Sequence, residues 1–242
     1  MRLLKTIPLA LVFLLLFSCD QMFVTKDEIA AGLKSALEYG VKYALNTLGR
    51  QDGFFVDQAV KIGLPRDAAN FVVQAGNIPG LGAIIKETEK ELVLAINRAA
   101  EASIKEVVPI VIDAVKTMTI QDASTILYSS NNRAATDYLH SKTYNNLCNV
   151  CASVITSALS RKIVGNVSAQ DTWSRLISQY NNVVNTVPSL NLDPIETDLA
   201  LYTTQKTLDG VFLKIGDEET KIRTDASARV DALLQKVFGL LD

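Results

Sequence analysis

Along most of this chain apolar residues recur every third or fourth position, and no run of useful length alternates apolar with polar. After Thr25, the residues Ile29, Leu33, Leu37, Val41, Ala44 and Leu48 fall on one stripe, which is the 3.6-residue repeat of an amphipathic helix. Thr25-Lys26-Asp27-Glu28 reads as a capping box ahead of it, and Gly49 supplies the stop. Only 12 glycines and 6 prolines interrupt 242 residues, well under the roughly 12% of average usage for the two together. The predicted architecture is therefore all-α, a single bundle of about seven to nine helices. With 48% apolar and 21% charged residues, the chain is neither disordered nor collagen-like, nor a disulfide-rich miniprotein, nor a multi-span membrane protein.

The further elements follow from punctuation. Residues 50–65, RQDGFFVDQAVKIGLP, have mixed spacing and read as a loop with one short helical or extended piece. Pro65 opens a helix to Ala75, ended by Gly76 and a turn at Asn77–Gly80. Leu81 to Met118 is a long helical stretch that Pro109 should break or kink. A shorter helix covers Ile120–Leu127, a long one Asn131–Arg161 and another Ser168–Val184, and Asn185–Leu192 is a connector. Asp193-Pro194 combines an N-cap acid with a first-turn Pro and should start a helix running to about Ile215. Thr224 or Asp225 opens the last helix, with Val230, Leu233, Leu234, Val237 and Leu241 as its stripe.

The first eighteen residues stand apart. Arg2 and Lys5 precede an apolar run from Ile7 to Phe17, too short for the ~20 residues that span a bilayer but right for the core of a signal peptide. Leu16-Phe17-Ser18-Cys19 then looks like a bacterial lipobox, so Cys19 is the expected lipidation site and mature N-terminus. The alternative is an ordinary signal peptide with an incidental Cys. The division is thus 1–18 signal peptide, 19–24 lipidated Cys and tether, and 25–242 one helical domain. The expected location is the bacterial cell envelope, on the periplasmic side of the inner or outer membrane. Cleavage removes two of the 24 basic side chains and none of the 26 acidic ones, taking the net charge from −2 to −4. Such a body has no electrostatic hold on anionic lipid or nucleic acid. Two or three acyl chains would do the anchoring.

Four separated runs carry a resemblance: FVDQAVKIGLP at 55–65, INRAAEAS at 96–103, YTTQKTLDGVF at 202–212 and EETKIRTDASARVDALLQKVF at 218–238. Together they resemble a bacterial envelope family catalogued as domain of unknown function 4197. The resemblance implies a secreted or lipid-anchored helical domain without an assigned activity, and it supplies no catalytic residues. Two departures are that Ala226 stands where the family pattern has Pro, and that the pair Cys148 and Cys151 is not part of that pattern.

Candidate chemistry is sparse. Cys148-Asn149-Val150-Cys151 has redox spacing but falls inside a helix, not at a helix start after a strand. Two buried thiols are the plain reading and a local disulfide the other. His140 is the one histidine and lies two turns from Cys148, so the three ligands a zinc site needs do not converge by spacing. No nucleophile motif supports triad catalysis. Glu219–Arg223 and Glu101–Lys105 are spaced for surface ion pairs. Asp57, Asn97, Arg98, Lys206 and Asp209 interrupt apolar stretches within the family runs. The segments 54–65 and 202–223 are expected to pack together, with Asp57, Lys206 and Asp209 in one polar cluster, either structural or lining a cleft. No cofactor is implied.

The function these observations favour is a non-enzymatic, membrane-anchored domain that binds a small apolar ligand or an envelope protein. The alternatives are an assembly factor working through an apolar groove and, last, an enzyme of unrecognised type.

Overall fold

The computed structural model describes residues 23–75, 82–162, 166–186 and 193–242. The expected export signal, the expected lipidation site Cys19, the tether to Met22, the turn at 76–80 and most of the 185–192 connector lie outside them. Among the described residues there are eight α-helices and no β-strand: α1 (Lys26–Leu48), α2 (Arg66–Ala75), α3 (Gly82–Thr117), α4 (Ala123–Leu127), α5 (Ala134–Ser160), α6 (Ala169–Thr186), α7 (Leu199–Thr224) and α8 (Ala232–Phe238). No helix among them is long and apolar enough to cross a membrane.

α1 is the central element. The capping box forms as read: the Thr25 hydroxyl accepts from Glu28 N at 3.1 Å and the Glu28 carboxylate accepts from Thr25 N at 2.9 Å. Its stripe of Leu33, Leu37, Val41, Ala44 and Leu48 is fully buried, covered by α3, α4, α7 and α8. Two glycines set how closely it is approached. A Cβ on Gly40 would lie 2.9 Å from the Cα of Ile215, so α1 and α7 touch backbone to backbone. A Cβ on Gly32 would meet the Val237 side chain of α8 at 2.7 Å. α5 then packs on α3 and α7, α6 on α3 and α5, and α2 on α3. The buried apolar side chains form one contiguous core.

Three boundaries differ from the sequence reading. α3 runs unbroken through Pro109. Pro109 is exposed, as is Lys105 one turn before it, so water can serve the carbonyl that loses its donor. Asp193-Pro194 does not start a helix. Tyr180 donates to the Asp193 carbonyl at 3.1 Å, and the Asn181 amide bonds both the N–H and the carbonyl of Ile195, at 2.8 and 2.9 Å. These contacts hold the irregular segment on α6, and Asp198 caps α7 instead, accepting from Ala200 N and Leu201 N. Asp225 caps only the 3₁₀ turn Ala226–Ala228, and Asp231 caps α8 through Leu234 N. Val230 is consequently 64% exposed rather than part of the stripe.

Candidate functional site

The loop from Arg50 to Pro65 is irregular, yet Phe54, Val60, Ile62 and Leu64 are buried. Its buried backbone groups therefore need partners from elsewhere. α3 supplies them from three residues of one family run. The Asn97 carbonyl oxygen accepts from Ile62 N at 2.9 Å, while its amide nitrogen donates to the Ile62 carbonyl at 2.7 Å and to that of Val93 at 2.7 Å. Glu101 Oε1 accepts from the N–H groups of Phe54 and Phe55 at 3.1 and 3.2 Å. Arg98 donates to Glu101 Oε2 at 2.6 Å and to Asp52 Oδ1 at 2.7 Å. Asp52 is left-handed, with φ 67°, a strained conformation outside glycine that the Arg98 pair holds in place. Glu101 and Lys105 are thus not a surface pair: the carboxylate is 4% exposed and belongs to the loop.

α7 supplies the opposite wall. Gly210 leaves room for the Phe54 ring, which a Cβ would meet at 2.8 Å. The Tyr202 hydroxyl donates to the Gly63 carbonyl at 3.2 Å. Lys214 pairs with Asp57 at 2.6 Å and holds its carboxyl below the usual range, helped by the Ala59 N–H. The segments 54–65 and 202–223 do pack together.

Asp57, Lys206 and Asp209 do not form one cluster. At about 100° per residue, Lys214 and Lys206 lie roughly 80° apart around α7, and Asp209 is roughly 140° from Lys214, so they face different neighbours. Lys206 and Asp209 make an exposed pair of their own at 3.3 Å. Asp209 also accepts from the Tyr144 hydroxyl of α5 at 2.7 Å. That carboxylate and burial push the Tyr144 hydroxyl's pKa up, burial most. Lys214 was not legible as the partner, although its i+4 spacing from Gly210 places it on the same face as the Phe54 contact.

The clamped loop presents a small exposed tip. Val56 is 63% exposed, Phe55 is half-buried, and the Lys61 ammonium stands 4.4 Å from the Phe55 ring centre. Beside it lies a cleft of about 570 Å³ lined by Gly49, Gln51, Arg98, Glu101, Ala102 and Lys105.

A second network joins helix ends. Glu219 and Arg223 are fully buried and meet at 2.8 Å, in contrast to the surface pair their spacing suggested. Glu219 accepts from Ala135 N, Thr136 N and the Thr136 hydroxyl, at 3.0, 2.7 and 2.7 Å. It caps the first turn of α5, whose own Arg133 provides no side-chain cap. Arg223 donates to the Leu127 and Ile126 carbonyls at the end of α4, at 2.7 and 3.1 Å. Arg229 closes α7 through the Ile222 carbonyl at 3.0 Å and grips Asp242 with two bonds of 2.6 and 2.7 Å.

Cys148 and Cys151 are free, buried thiols and form no local disulfide. Cys148 turns toward Tyr144 one helical turn before it, while Cys151 is enclosed in the core. His140 stacks on Tyr144 at 4.3 Å and meets the edge of Phe212 at 4.8 Å. Among the described residues no group of three His, Cys, Asp or Glu side chains is placed to hold a metal.

Three of the four runs, 55–65, 96–103 and 202–212, thus meet where the all-α bundle locks an irregular loop between α3 and α7, and the fourth, 218–238, builds the helix-end network. The family model described as Protein of unknown function (DUF4197) matches residues 23–239, and the chain belongs to that family. No curated protein and no solved structure matches it.

Proposed function

We propose that this is a lipid-anchored envelope domain that acts by binding rather than catalysis, and that the tip of the clamped loop is its contact with a partner protein. The observation that carries this is the investment of Asn97, Arg98, Glu101 and Lys214 in a single loop conformation. A short turn would join α1 to α2 with fewer buried polar groups. A rigid scaffold presenting an irregular loop is the usual arrangement for recognition, and strain such as that at Asp52 concentrates at functional positions. Val56 and the Lys61–Phe55 pair provide an apolar contact with one cation at its edge, which suits an envelope protein with an acidic rim. The Leu16–Cys19 pattern supports the anchor, and the acidic mature chain supports acyl chains as the means of attachment.

The test is site-specific photocrosslinking in the bacterial host. A photoreactive residue at Val56 should give a discrete adduct that weakens when Lys214→Ala loosens the loop. The same residue at Tyr128, which is exposed on α4's end, should give none. An equal pattern at both positions would overturn the loop assignment. Cys19→Ser should in parallel release the protein from membranes or leave it unprocessed; unchanged fractionation and processing would overturn the anchor.

A further inference from the structure

A second cleft, of about 510 Å³, lies between the C-terminal turns of α3 and the N-terminal half of α5. It is separate from the loop site. Ile110, Ala114 and Leu147 give it an apolar floor. At one end the Tyr138 hydroxyl donates to the Thr119 carbonyl at 2.9 Å and ties the two walls together.

Side chains of both charges line it. Asp113 on α3 and Lys142 on α5 line the same cleft from opposite walls, yet they form no ion pair with each other. Among the described residues Asp113 has no hydrogen-bonding or ionic side-chain partner. It lies one turn before the end of α3, whose last turn carries Lys116 and whose Lys116 carbonyl already accepts from Lys34 at 2.8 Å, so neither of these cations is given to Asp113. Lys142 has no carboxylate partner either, and its ammonium stands 5.6 Å from the centre of the Tyr138 ring.

We infer that this cleft binds a small zwitterion with an apolar body, either a free α-amino acid or a short peptide with free termini. The ligand's ammonium meets Asp113, its carboxylate meets Lys142, and its hydrocarbon part covers the floor. Both contacts are charge-assisted hydrogen bonds, about twice as strong as neutral ones. A cleft of this size holds either ligand.

Titration calorimetry of the full chain with leucine, with trileucine and with N-acetyl-leucinamide, which has neither charge, tests the site. Either of the first two should bind, and whichever binds more tightly names the source. The capped compound should bind at least about tenfold more weakly. Asp113→Asn and Lys142→Gln should each weaken the charged probe by about the same factor, and circular dichroism should show the fold intact because both side chains are exposed. No binding of either zwitterion at millimolar concentration, equal binding of the capped compound, or full affinity in the two variants would overturn the inference.

Discussion

The Glu219 carboxylate and the Arg223 guanidinium, one turn apart on α7, meet at 2.8 Å with essentially no solvent exposure of either side chain. Each also ends a different helix: Glu219 serves the first-turn N–H groups of α5 and Arg223 the last carbonyls of α4. The pair is thus the joint at which three helices meet.

Removing one partner leaves a buried charge without its counter-ion. Glu219→Ala should cost about 3–5 kcal/mol in denaturant unfolding. The apolar double variant Glu219→Leu/Arg223→Met should not recover wild-type stability, unlike many buried pairs, because the helix-end N–H and carbonyl groups stay unpaired at about 1–3 kcal/mol each. A double variant as stable as the wild type would show that the capping bonds contribute little.

Gly40 lies where α1 meets the backbone of α7. Gly40→Ala should push the two helices apart and cost about 1–3 kcal/mol. Gly63→Ala is the control, since a Cβ there meets nothing within 4 Å. It should be neutral or stabilise by about 0.4–1 kcal/mol through the unfolded chain. Thermal midpoints of the two variants check the contrast.

The Asp57 carboxyl is held below its ordinary 3.8 chiefly by the Lys214 ammonium. A folded-state value lower than the unfolded one means that the carboxylate form stabilises the fold. This contribution is complete above the unfolded value and is lost as pH falls through the lower folded one. Asp57→Asn should therefore lower the melting temperature at neutral pH, and the gap to wild type should close on acidification below about pH 4. A gap that persists unchanged at low pH would mean the pair contributes nothing.

Burial pushes both thiols up, Cys151 to about 11. Neither should react appreciably with a disulfide reagent at pH 8 in the folded protein, and both should react at once in denaturant. Dithiothreitol should leave the melting temperature unchanged. Replacing both by Ala should leave a folded protein that has lost packing on the order of 1 kcal/mol per site. Rapid native labelling, or failure of the double variant to fold, would contradict this.

Much of the helical framework was legible because its signals are local. Thr25 and Glu28 lie three residues apart and need only their own turn to form the capping box. Pro65 opens α2 on the same terms. The misread boundaries were those where a distant residue competes with the local signal. Asp193-Pro194 is a sound helix start in isolation, but Asn181 and Tyr180 of α6 take up the backbone around it. Pro109 is tolerated because its turn faces water, which its own sequence neighbourhood does not reveal.

The sequence by itself determined that the chain is helical, how α1 is capped at both ends, where α2 begins, and that charged residues of the family runs stand beside apolar stripes. Only the tertiary structure decided which of those charges are paired, and with what. Glu219 and Arg223 have the i, i+4 spacing of a surface pair, and that spacing is the same on every face of a helix. Their burial depends on α4 and α5 being laid over them. Asp57 could be assigned Lys206 or Lys214 by composition, and the angular position of each on α7 selects Lys214. The physical reason is range. A cap or a stripe is specified within one or two turns, whereas an ion pair such as Asp57–Lys214 joins groups 157 residues apart. It exists only once the intervening helices have packed and excluded the water that would otherwise solvate each charge.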